Sequence, residues 1–261
     1  MKITIKLIAI CAVSTGATAS FSMENGCVFQ SGAALTPVIE LYTSEGCSSC
    51  PPADKWLSSF KERGAGQAAV IEAFHVGYWD TIGWVDRFAS PAYTERQRQV
   101  AAWNQQRSIY TPQAVLNGRD WPDWAASGTH APAATQAARA SIALKQLGDD
   151  QFEAIVTPAA GAPASWSAYW TITENGYNSR VKAGENAGKF LQHDFVVRQY
   201  TPAGNYRTDP ATPQRLTLRS IAPSPGHARQ VNLVVFDPKT GSTLQSVSAG
   251  RGRCTELVAR P

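Results

Sequence analysis

Apolar residues fill Val38 to Tyr42 apart from Glu40, and a second, mostly apolar run occupies Ala69 to Phe74. Their length and density are those of strands buried on both faces of a parallel sheet. Between them, Pro51 to Phe60 carries Ala53, Trp56, Leu57 and Phe60 on one side, the three- and four-residue spacing of an amphipathic helix. Pro51 and Pro52 are tolerated at its start, where the first-turn amides have no partner inside the helix to lose. Gly64-Ala65-Gly66 ends it. The pattern predicts strand, helix, strand, joined by a right-handed crossover.

Further along, His75 to Asp86 is an aromatic loop that starts where the second strand stops, the edge at which open α/β sheets gather their chemistry. Ser90 then caps a helix with Pro91 at its first position, running to about Gln106. Gln113 to Leu116 is a short apolar strand entered through Thr111-Pro112 and left through Asn117-Gly118. The alanine-rich segment from Ala133 to Leu147 predicts a helix closed by Gly148. After that the period changes to two. Short β-type runs cover Phe152 to Thr157, Ala168 to Thr173, Phe195 to Thr201, Arg215 to Ile221, Val231 to Phe236 and Thr243 to Ser248, with turn signals such as Glu174-Asn175-Gly176 between them. An antiparallel β-sandwich is the expected form. The expected division is residues 1–19 as a signal peptide, 20–148 as an α/β domain and 149–261 as a β-rich domain.

The leader is read from Lys2 and Lys6, the apolar stretch Leu7 to Val13 and the small residues ending in Ala17-Thr18-Ala19, with cleavage after Ala19. Ser14, Thr15 and Gly16 interrupt the apolar run well short of the ~20 residues that a membrane span needs. The expected product is periplasmic or secreted, with no membrane attachment after cleavage. Lys and Arg total 24 against 20 Asp and Glu, for a net charge of +4. The basic residues are dispersed, so nothing points to nucleic acid. No phosphate-cradling loop is present, and no cofactor is expected.

Cleavage leaves four cysteines: Cys27, Cys47, Cys50 and Cys254. Cys47-Ser48-Ser49-Cys50 places two sulfurs within reach of each other over one turn, at the junction of a strand and a helix. Unpartnered amides and the positive end of the helix dipole favour a thiolate at Cys47. Cys47 is therefore the expected nucleophile and Cys50 its resolving partner. Two thiolates at this spacing also suit a zinc site, a copper(I) site or a plain structural disulfide. A zinc site needs a second ligand pair, and His75, His130, His193 and His227 are scattered singly; no metal ligands are assigned. Cys27 and Cys254 remain for each other, a bridge joining the two ends of the mature chain, as an oxidising compartment permits.

Thr111-Pro112 ahead of a short strand resembles the thioredoxin fold, in which the bond before that proline is cis and its loop faces the redox pair. Thr111 and Pro112 are thus expected to hold a substrate backbone. Tyr78 and Trp79, with Trp84, either wall a substrate groove beside Cys47 or roof the core. His75 is either a proton carrier or a hydrogen-bonded structural residue. Gly184-Glu185-Asn186-Ala187-Gly188 is either a binding loop or a turn.

Leu41 to Asp54, His75 to Asp80 with Gly83-Trp84, Ser90 to Tyr93 with Arg96-Gln97-Arg98, Tyr110 to Gln113, and Gly184 to Gly188 together resemble the secreted, thioredoxin-like family called domain of unknown function 1223 (DUF1223). The resemblance spans most of the mature chain. It implies export and a thioredoxin-like fold, but no substrate; with the β-type runs after residue 148, the expected fold is a thioredoxin-like α/β domain followed by a mostly antiparallel β domain. Gly77 stands where that family leads one to expect an acidic residue, and Trp121 to Trp124 replaces an expected hairpin strand. The functional expectation is an exported thiol-disulfide oxidoreductase or redox-active binding protein acting on a protein or small-molecule thiol or disulfide. The alternatives are a copper(I)-binding protein and an interaction module stapled by its disulfide.

Overall fold

Alternation inside the first apolar run sets the layers. A computed structural model describes residues 27–62, 69–128 and 135–250. The elements in order are β1 (Val28–Gln30), β2 (Val38–Thr43), α1 (Pro51–Glu62), β3 (Val70–His75), a 3-10 helix (Gly77–Ile82), α2 (Pro91–Trp103), β4 (Gln113–Leu116), β5 (Arg119–Asp120) and a second 3-10 helix (Pro122–Ser127). There follow β6 (Ala140–Gln146), β7 (Gln151–Pro158), β8 (Ser165–Glu174), β9 (Tyr177–Arg180), β10 (Phe190–His193), β11 (Val196–Arg207), β12 (Gln214–Arg219), β13 (Arg229–Phe236) and β14 (Thr243–Gly250). On β2, Ile39 and Leu41 face α1, where they pack with Leu57 and Phe60. Tyr42 faces the opposite side and packs with Tyr93 and Val100 of α2. Burying each such side chain is worth roughly 1.5–3 kcal/mol, so the two helices are held mainly by these stripes.

The protein is mostly β, with several antiparallel sheets. One sheet has the strand order β14-β13-β8-β11-β3-β2-β4-β5. β2 and β3 pair in parallel, as the crossover through α1 requires, and β11 joins β3 in parallel at Val196 and Ala73. The other neighbours in this sheet run antiparallel. A second sheet, β1-β6-β7-β12, is antiparallel throughout and buries Ile142, Leu144 and Val156 against Trp170, Leu233 and Val235 of the first. The expected division after residue 148 falls in the turn between β6 and β7, and strands from both sides of it share both sheets. No helix among the described residues is long and apolar enough to cross a membrane.

The helix expected over Ala133 to Leu147 is not formed; residues 140–146 are β6, and 133 and 134 lie outside the described residues. In a helix Ile142 and Leu144 would point about 200° apart, whereas a strand sends Ala140, Ile142 and Leu144 to one face. That face is buried, and pairing with β1 and β7 outweighs the helical preference of the alanines. The expected signal peptide and Cys254 also lie outside the described residues.

Candidate redox site

The turn that follows β2 is built from its own backbone. The Cys47 amide donates to the Ser44 carbonyl at 3.2 Å, and the Cys50 amide to the Cys47 carbonyl at 3.2 Å. Ala53 and Asp54 then donate to the Cys50 carbonyl and start α1. Cys47 and Cys50 are joined as a disulfide with their Cα atoms 5.4 Å apart. Both cysteines are buried, at 1% and 0% exposure, whereas Ser48 and Ser49 between them are exposed.

One side of this turn rests on the aromatic loop. A Cβ added at Gly46 would lie 2.9 Å from the Trp79 Cβ, so only glycine allows the loop this close. Trp79 Nε1 donates to Thr111 Oγ1 at 2.8 Å, and the Thr111-Pro112 bond is cis. Trp79 therefore links the residue before Cys47 to the residue before Pro112. Tyr78 and Trp79 are half-buried and pack on the core between the sheet and α2.

The other side is strapped by the segment between β9 and β10. Asn186, fully buried, donates from Nδ2 to the carbonyls of Glu45 at 2.9 Å and Cys47 at 2.8 Å. The exposed Glu185 carboxylate accepts the Ser48 amide at 2.9 Å. The Ser48 hydroxyl and amide hold the Glu185 carboxyl below its usual value.

Behind the turn lies a buried acid-base cluster. His75, at the end of β3, has Nδ1 2.6 Å from Asp86 Oδ2, which also accepts the Glu45 amide at 2.9 Å. Glu45 accepts Trp84 Nε1 at 2.7 Å and lies 3.2 Å from His193 Nε2 on β10. The His75 and His193 rings meet edge to face, 4.9 Å between centroids. Burial works against ionisation of Asp86 and Glu45, but His75 beside the one and the His193 hydrogen bond to the other leave both carboxyls below their usual values. Burial likewise opposes a charge on His75, and the Asp86 carboxylate outweighs it, so its pKa is raised. Among the described residues no group of three or more His, Cys, Asp and Glu side chains is arranged to hold a metal ion.

The family model for DUF1223, a protein of unknown function, matches residues 38–236. The chain belongs to the DUF1223 family. No curated protein matches it significantly. Two solved structures share the fold of this DUF1223 chain. The first is a structural-genomics protein from Agrobacterium tumefaciens, 21% identical, with a TM-score of 0.62 over 86% of this chain and 98% of that one. The second is HBP35 of Porphyromonas gingivalis, 12% identical, with a TM-score of 0.54 over 88% of this chain and 80% of that one.

Of the residues singled out in the sequence of this DUF1223 chain, Cys47, Cys50, Tyr78, Trp79, Thr111 and Pro112 lie in one neighbourhood, connected through Gly46 and Trp79. The histidines that looked isolated are not all so, since His75 and His193 touch. Asn186 lies in the Gly184–Gly188 stretch read as a binding loop or a turn, while Asp54, Asp86 and His193 carry no assigned role in the sequence reading. Their only local signal was a charged or amide residue inside an otherwise apolar or turn-forming stretch, which solvated loops also show.

Proposed function

We propose that this protein is an exported thiol-disulfide oxidoreductase, or a redox-active binding protein, built on a thioredoxin-like framework. The observation that carries this reading is the Cys47–Cys50 disulfide at the junction of β2 and α1. The Trp79 hydrogen bond to Thr111, with Trp79 close against Gly46, supports it by tying the Thr111-Pro112 segment to the turn that carries the pair. A substrate thiolate attacks Cys47 Sγ, forming a mixed disulfide and releasing Cys50 as a thiolate. In the opposite direction the Cys47 thiolate attacks a substrate disulfide and Cys50 expels the reduced substrate. Export is inferred from the leader-like residues 1–19.

A second reading has a specific observation behind it. Both cysteines are buried and the strap binds the Cys47 carbonyl and the Ser48 amide, which also suits an inert staple in an interaction module. Equilibrating the mature protein with a graded glutathione buffer and counting free thiols separates the two. Exchange at potentials near those of thioredoxins supports the redox reading, and resistance to all but strong reductants supports the staple. Stoichiometric copper(I) uptake by the reduced protein would point instead to metal binding. Cys50→Ser should accumulate mixed disulfides through Cys47, and these identify the substrate.

A further inference from the structure

Strand β10 has a strand neighbour on one side only, β9. Arg87 Nη2 donates to the Asn178 carbonyl at 2.8 Å, so that carbonyl points away from β10, and Asn178 stands opposite Gln192. In an antiparallel pair the opposite residue then turns its own amide and carbonyl outward, as does the residue two positions along the strand. Gln192 and Phe190 therefore present main-chain donors and acceptors at the free edge of β10, where no other described segment bonds them. Both residues are exposed. An open edge of this kind is a template for one more strand.

Helix α1 packs on β10, and between them lies a cleft of about 720 Å³. Phe190 and Gln192 line it from the strand, and Pro51, Lys55 and Ser59 from the helix. Pro51 follows Cys50 directly, so one end of the cleft lies at the disulfide turn. The other end is closed by Lys61 and Asp194, ion-paired at 2.7 Å. From Pro51 to Lys61 the helix rises about 15 Å, the length of about five residues of extended chain.

The charges around the cleft narrow the choice of occupant. Lys55 on α1 and Arg180 and Lys182 on the hairpin are exposed and have no ion-pair partner among the described residues. Arg180 lies over the Phe190 ring, 5.6 Å from its centroid. The nearby carboxylates are already engaged: Asp194 accepts from Lys61 and the Gly176 amide, and Glu185 accepts the Ser48 amide. We propose that the free edge of β10 binds an extended, acidic polypeptide segment, which pairs with it as an added strand and brings a cysteine to the Cys47–Cys50 disulfide. This rests on the redox reading and deepens it, naming the substrate as polypeptide and not a small thiol. The peptide thiolate forms the new bond to Cys47 Sγ, the Cys47–Cys50 bond breaks, and its electron pair leaves on Cys50.

Two measurements keep the two readings apart. Exchange of the wild-type disulfide with a small dithiol tests the redox reading alone, and its absence removes that reading and the substrate role with it. Binding is read on the oxidised protein by amide NMR, with a short glutamate-rich peptide carrying serine in place of its cysteine so that no exchange occurs. The Phe190 and Gln192 amides should shift and become protected from hydrogen exchange. Methylating alternate amides of the peptide should weaken binding roughly tenfold, by removing two main-chain donors. Lys55→Glu should weaken it roughly fivefold. The cysteine form of the peptide should exchange at least roughly tenfold faster than a simple thiol of matched pKa, because binding holds it at the turn. Unmoved Phe190 and Gln192 amides, undiminished binding of the methylated peptide or in Lys55→Glu, or a peptide thiol no faster than the simple one would each overturn the inference and leave the redox reading standing.

Discussion

Asn186 donates a hydrogen bond to the main-chain carbonyl of Cys47 at 2.8 Å, across 139 residues of sequence. The same Nδ2 donates to the Glu45 carbonyl, and Lys189 Nζ donates to Asn186 Oδ1 at 2.8 Å. The dithiol turn is thus held partly by a segment that belongs to the β-rich half of the chain.

Asn186→Ala removes both donors from a fully buried position, taking the side-chain donor from the Glu45 carbonyl and leaving the Cys47 carbonyl with the Cys50 amide. The expected loss is roughly 2–3 kcal/mol of stability, read from urea unfolding of the oxidised protein. Dithiol exchange should become faster, because the loosened turn exposes Cys47. A stability loss with no change in exchange rate would mean that the strap does not govern access to the disulfide.

Two carboxylates bear on Cys47, and their placement ranks them. Glu45 is buried and committed to Trp84 and His193, whereas the Glu185 carboxylate sits directly on the Ser48 amide. In a Cys50→Ser background, Cys47 should ionise below the ~8.5 of an ordinary thiol yet above the range of a strong oxidase. Glu185→Gln should lower the pKa of Cys47 further, because it removes a negative charge at the start of α1. Glu45→Gln should act in the same direction but less. Thiolate absorbance against pH reads all three, and an unmoved curve for Glu185→Gln contradicts this ranking.

Glu72 on β3 stands in register with Glu40 on β2, and both are buried. Burial first, then the neighbouring Glu40, pushes the Glu72 carboxyl up to about 8. Hydrogen bonds from Tyr169 and Thr171, and the Arg96 guanidinium that Glu40 binds at 2.8 Å, oppose the shift. The folded chain then keeps a proton that the unfolded chain releases near pH ~4.3. Stability from this group is fully present below that value and is lost as pH rises through about 8. Glu72→Gln, which mimics the protonated carboxyl, should flatten the decline in urea midpoint between about pH 5 and 8. Parallel curves for the two proteins would count against this account.

Cys27, immediately before β1, and Cys254, outside the described residues, are expected to form a disulfide. A loop of that length could contribute on the order of 5 kcal/mol in the chain-entropy model. Mass spectrometry of an unreduced digest should recover the linked peptides, and recovery of both cysteines as free thiols would refute the bridge.

What could be read directly from the residues depends on neighbours a few positions away. Ile39, Leu41, Leu57 and Phe60 declare a strand and a helix through spacing alone, Ser90-Pro91 announces a helix start, and Cys47 and Cys50 announce their own proximity. Propensity misled at residues 140–146, where alanine suggested a helix but the alternation of Ala140, Ile142 and Leu144 was answered by β1 and β7. Strand order alone decided that β11 would lie beside β3, joining the two halves in one sheet. That order carries the β9–β10 segment over α1, setting Asn186 on Cys47 and His193 between Glu45 and Asp54. Contacts spanning 139 and 148 residues leave no periodic trace in the sequence, because they arise from which edges pair and not from what lies next in the chain.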